Sequence, residues 1–174
     1  NLKTHLTLGD LFSDNDIFIF DFTYAIKYYL KSIKAHKGIT STNDSINKNI
    51  IVRYYSNNQR FISYNNLGLI YIIVMDDIEK GEEYLKESAF AEYPFGQNNF
   101  GLLNQFYLKN IQMAEHMYKR SSQHNFSLAF YNLGYMFEKN NKIKESINYY
   151  IKASDYVKEP LTYRKIFHFD KMLE

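Results

Sequence analysis

An Asn, an apolar residue and a Gly recur three times in this chain at one spacing. They are Asn66-Leu67-Gly68, Asn99-Phe100-Gly101 and Asn132-Leu133-Gly134, and each set follows the last by 33 residues. A period of this length marks a repeat architecture. One hairpin cannot bury both of its faces, so it must stack on a neighbour. Other positions keep the register: Tyr64, Gln97 and Phe130 precede the motif, with Gln as the departure. Downstream, Gly81, Ala114 and Ser146 form a small position, the last displaced by one residue. Leu85, Tyr118 and Tyr150 form a large position, and Ser88, Ser121 and Ala153 a second small one. A mid-helix Gly costs about 1 kcal/mol against Ala. Three of them at equivalent places imply that helices cross there, with axes about 8–10 Å apart.

The clearest copy runs from Phe130 to Ser154. Two helical apolar patterns flank the polar turn Glu138-Lys139-Asn140-Asn141-Lys142. This stretch resembles a tetratricopeptide repeat, which places an aromatic, a Leu and a Gly on its first helix, here Phe130, Leu133 and Gly134. The second helix of that family carries small, aromatic and small residues, here Ser146, Tyr150 and Ala153. The short connection from Ser121 to Phe130, with Asn125 where a Gly is usual, is more similar to the Sel-one-like branch. The resemblance covers roughly residue 59 to the C-terminus. It implies an all-α fold, a right-handed α-solenoid of stacked antiparallel hairpins with about 8–9 helices. The units are a degenerate N-terminal hairpin with a long loop (1–58), repeats at 59–93, 94–125 and 126–158, and a capping or truncated helix at 159–174.

Taken in order, residues 1–12 predict a short helix or arm, and Ser13 to Asp16 a helix start with a capping Ser and an early Asp. Ile17 to Phe20 alone suits a strand, but Phe22, Ile26, Tyr29, Leu30 and Ile33 keep a helical period up to a stop at Gly38. Ile26 to Ser32 resembles Ile147 to Ala153, so this helix reads as a degenerate repeat helix. Residues 39–44 read as a loop, 45–56 as a helix and Asn57-Asn58-Gln59 as a connection. Helices are then predicted at 61–74, 78–90, 95–108, 111–123, 127–139 and 142–156. The strand-prone run Ile70 to Val74 yields to the repeat register. Pro94 and Pro160, 66 residues apart, suit helix starts, where the missing N–H costs nothing. Pro160 to Leu173 predicts a final helix with Leu161, Ile166 and Phe169 inward.

Composition narrows the function classes. A net charge of +2 is too mild to argue for nucleic acid or an anionic membrane. No Cys is present, which removes disulfides and thiolate metal sites, although it does not fix the compartment; the cytoplasm is favoured. The longest apolar run, Leu67 to Met75, is far shorter than the roughly 20 residues that span a bilayer. An initial Asn suggests a piece of a longer protein. The five His residues show no metal pair at helical spacing, and no nucleophile elbow, phosphate loop or dinucleotide fingerprint occurs. The acidic turn Asp76 to Glu83 lacks calcium-ligand spacing, and Lys27, Lys31 and Lys34 read as a solvated face or an acidic partner's dock. No catalytic residue, metal or cofactor is expected.

The resemblance also implies a site, because first helices in this family line a concave groove. Carried over, Asn65, Asn66, Leu69, Asn98, Asn99, Leu102, Tyr131, Asn132, Tyr135 and Lys139 would face it. Gly68, Gly101, Gly134, Gly81, Ala114 and Ser146 would hold the repeat geometry. An Asn amide offers one acceptor and two donors. The Asn series either grips an extended peptide or bonds only within the superhelix, and both readings stand at this point. The basic pair that grips acidic C-termini in some relatives is absent, since Asn65, Leu69, Asn98 and Leu102 hold those places. The expected function is a non-catalytic module binding a peptide or protein partner, with self-association through repeat ends as a further option. Single-stranded RNA binding, or regulation of a larger kinase or ubiquitin-pathway protein, is the alternative.

Overall fold

The computed structural model describes residues 22–37 and 49–156. The expectations for residues 1–21, for the Gly38 stop and loop, and for Pro160 to Leu173 lie outside them. Seven helices form, and no strand occurs among the described residues: α1 (Phe22–Lys37), α2 (Asn49–Ile73), α3 (Ile78–Phe90), α4 (Pro94–Phe106), α5 (Ile111–Ser122), α6 (Ser127–Lys139) and α7 (Ile143–Asp155). Each packs on the next in the chain, with the tightest pairings inside α2/α3, α4/α5 and α6/α7.

The glycines explain those pairings. A Cβ on Gly101 would stand 2.6 Å from a ring carbon of Tyr118, and one on Gly134 2.7 Å from the ring of Tyr150. At Gly68 it would meet Leu85 at 2.6 Å. Each large residue of a second helix thus fills the space its partner's Gly leaves empty. Gly81 takes the same role in reverse, closing on Ile72 and on the Gly68 carbonyl. Ala114 and Ser146, at the same register, are 0% and 3% exposed.

The turns repeat as faithfully as the helices. Asp76, Lys109 and Asn141 each adopt a left-handed conformation between paired helices, with φ of 57°, 57° and 58°. Glu92 and Asn125, at 62° and 58°, do so between one pair and the next. Residues 74–77 and 107–110 form four-residue turns, but 140–142 forms a three-residue one. That missing residue is the reason Ser146 stands one place early. Asp77 and Asn110 cap α3 and α5 by accepting from the backbone N–H groups of Lys80 (3.0 Å) and Met113 (3.1 Å). Lys142, at the same place before α7, makes no such bond.

One expectation is corrected at the N-terminal side. Asn57-Asn58-Gln59, read as a connection, lies inside α2, which runs unbroken for 25 residues across the boundary placed between 58 and 59. No Gly or Pro stands between Asn49 and Leu67, and Asn disfavours a helix only weakly. α1, before it, has the pattern of a second-type helix. Its Ala25, Tyr29 and Ser32 keep the spacing of Gly81, Leu85 and Ser88. Ser63 Oγ of α2 donates to Ser32 Oγ at 3.1 Å.

The core runs along the stack. Leu69, Ile72, Leu85, Phe100, Leu102, Leu103, Met117, Tyr118, Leu133 and Met136 form one continuous cluster from α2 to α6. A second cluster joins Ile33 of α1 to Tyr64 and Leu67 of α2, with Ile26, Leu30, Tyr71 and Tyr84 packed around it. The central helix α4 is enclosed on all sides: every residue from Gly96 to Asn104 is buried.

Candidate functional site

Buried amides in α4 need partners, since an unpaired amide in an apolar interior costs roughly 1–3 kcal/mol. The asparagines supply them to one another. Asn132 Nδ2 donates to Asn98 Oδ1 at 2.8 Å, and Asn98 Nδ2 to Asn99 Oδ1 at 3.5 Å. Asn99 Nδ2 donates to Asn65 Oδ1 at 2.8 Å, and Asn65 Nδ2 to Asn66 Oδ1 at 3.1 Å. Asn66 Nδ2 then donates to the Tyr29 hydroxyl at 3.1 Å. The result is a continuous polar seam crossing α6, α4, α2 and α1. Each inter-repeat step spans 34 residues rather than 33. The second Asn of one unit reaches the first Asn of the unit before, so the doublets Asn65-Asn66 and Asn98-Asn99 are the signal in the sequence.

This seam revises the expected groove. Asn65, Asn98 and Asn99 are 5%, 2% and 1% exposed, and Leu69 and Leu102 lie in the core cluster. Stacking of the next first helix covers each of these lines, so neither the amides nor the two leucines face an open groove. Asn132 is buried as well, and Asn66 is half-buried. The expected residues that keep more solvent lie on α6: Tyr131 and Tyr135 are half-buried and Lys139 is exposed. They stand at i, i+4 and i+8, a single line along that helix.

Around this line the structure adds groups that sequence reading passed over. Tyr150 donates its hydroxyl to Glu138 Oε2 at 2.7 Å, and its ring stands 5.5 Å from Tyr131. Phe106 of α4 stands 6.4 Å from the Tyr135 ring, and Lys139 Nζ lies 5.3 Å from that ring's centroid. Burial, then the charges of Glu138 and Tyr135, pushes the Tyr131 phenol up to about 12. Burial and the bond to Glu138 raise Tyr150 as well. Both phenols are therefore neutral at physiological pH. The strip offers two aromatic faces and one exposed cation beside them, which suits apolar or aromatic groups next to a carboxylate.

Among the described residues no group of three or more His, Asp or Glu is placed to hold a metal ion, and no helix is long and apolar enough to cross a membrane. One buried polar atom in α4 departs from the repeat. Gln97 stands where Tyr64 and Phe130 stand, is 1% exposed, and its Oε1 finds no hydrogen-bond partner. No protein-family model matches the chain, and no curated protein and no solved structure matches it significantly.

Proposed function

We propose that this chain is a non-catalytic protein-interaction module, built as a right-handed α-solenoid of tetratricopeptide-like or Sel-one-like hairpins. It works alone as an adaptor or as the regulatory part of a larger kinase or ubiquitin-pathway protein. The observation that carries the reading is the α6 strip. Tyr131, Tyr135 and Lys139 keep solvent access at the positions where α4 has the enclosed Asn98 and Leu102. A peptide laid along it would place an aromatic or aliphatic side chain against Tyr131 and Tyr135 and a carboxylate near Lys139. Hairpins locked by glycine contacts and a buried amide seam form a rigid platform, which lowers the ordering cost of binding.

Selection from a displayed peptide library tests this. Wild-type protein is expected to enrich acidic-aromatic sequences, and Tyr135→Ala with Lys139→Glu is expected to abolish the enrichment while melting unchanged. Enrichment that survives both substitutions refutes the strip as the binding surface.

A further inference from the structure

One line on the second-type helices differs in chemistry between units. On α1 it reads Ile26, Leu30 and Ile33, packed against Tyr64, Leu67 and Tyr84 of the next pair. On α3 and α5 the first two of these places hold charges, Glu82 with Lys86 and Glu115 with Lys119. Lys119 and Glu115 pair with each other at 2.6 Å. On α7 the first two places turn apolar again, as Ile147 and Ile151, 39% and 54% exposed, and Ile143 one turn earlier extends the stripe at 50%. An apolar line is therefore covered at one end of the stack and bare at the other. On α3 and α5 the exposed Lys86 and Lys119 occupy this line, so the apolar stripe on α7 departs from the charged face of the two units before it.

We propose that this stripe is the docking face for the chain's own residues 157–174. Three observations select that occupant. The segment begins directly after Tyr156, one turn beyond Ile151. Pro160 stands 66 residues after Pro94, and in that register Tyr163 and Ile166 fall where Tyr64 and Leu67 fall, 99 residues earlier. Those are the two buried residues that receive the α1 line. The area also decides against a free partner. Three half-exposed isoleucines present on the order of 300 Å², whereas a stable dimer buries about 800 Å² per partner. A tethered segment needs far less, because its effective concentration is about millimolar.

Hydrogen exchange on the full chain tests the dock without any partner, so its outcome is separate from that of the peptide selection. Wild-type protein is expected to be a monomer with slowed amides within 160–173. Giving α7 the charges found on α5, Ile147→Glu with Ile151→Lys, is expected to speed those amides at least tenfold and leave α4 and α5 protected. Tyr163→Ser with Ile166→Ser, which alters no described residue, is expected to do the same from the other side. Fast exchange at 160–173 in the wild type, or slow exchange that both variants leave unchanged, overturns the proposal. So does a wild-type dimer that the α7 variant converts to monomer, since the stripe would then belong to a second copy.

Discussion

Asn99 carries more than its size suggests. It gives one hydrogen bond to Asn65 and accepts one from Asn98, at 1% exposure. Replacing it with Leu conserves volume roughly but strands an acceptor on Asn65 and a donor on Asn98. Each stranded group costs about 1–3 kcal/mol, so Asn99→Leu is expected to lose about 2–4 kcal/mol in urea unfolding. A loss below about 0.5 kcal/mol would show that water or rearranged side chains satisfy the seam. The glycines were legible from sequence because a costly residue at a fixed period has few explanations other than close approach. The asparagines were legible as a series but not as a network. A one-residue offset between units decides whether neighbouring amides meet, and that offset follows from how far each helix slides along the next.

Helix ends show where one unit departs from its siblings. The cap that Asp77 and Asn110 provide is missing at Lys142, whose ammonium lies 5.6 Å from the centroid of the Phe137 ring. Lys142→Asp is expected to restore a bond to the backbone N–H of Glu145 and place a negative charge at the helix start. Against the lost cation–π contact, the net gain is about 0.5–1 kcal/mol, which calorimetry would register as a rise in melting temperature of about 1–4 °C. No rise, or a fall, would mean that the Phe137 contact outweighs the cap. The helices predicted at 78–90 and 127–139 match α3 and α6, and the others differ at their ends. The exception is α2, where two predicted helices are one. Asn-Asn-Gln suits a loop and is also tolerated in a helix, so local propensity left the choice to tertiary packing. The open α6 strip was hidden for a related reason. Its residues match the covered ones of α4 in register, and only position in the stack separates them.

At the scale of the whole molecule, buried phenols tie stability to alkaline pH. Burial raises Tyr118 and Tyr150, and Tyr131 is pushed up to about 12, against an ordinary 10.0. The unfolded chain ionises these groups near 10 while the folded one holds their protons. Their stabilising contribution is therefore complete below pH 10 and is lost as pH climbs through 12 and beyond. Helicity by circular dichroism is expected to collapse in that window, together with a cooperative rise in tyrosinate absorbance. Smooth phenol titration near pH 10 with helicity intact would show that these rings are open to solvent.

The polar seam has a sense as well as a length. From α6 to α1 every amide hands its hydrogen the same way, so the row has a donating head and an accepting tail. A duplicated cassette of residues 94–126 spliced in tandem would present an accepting Asn98 to the incoming Asn99 and extend the row by one rung. The chain is thus built so that it can grow by whole units, whereas an inverted unit would set hydrogen against hydrogen in its middle.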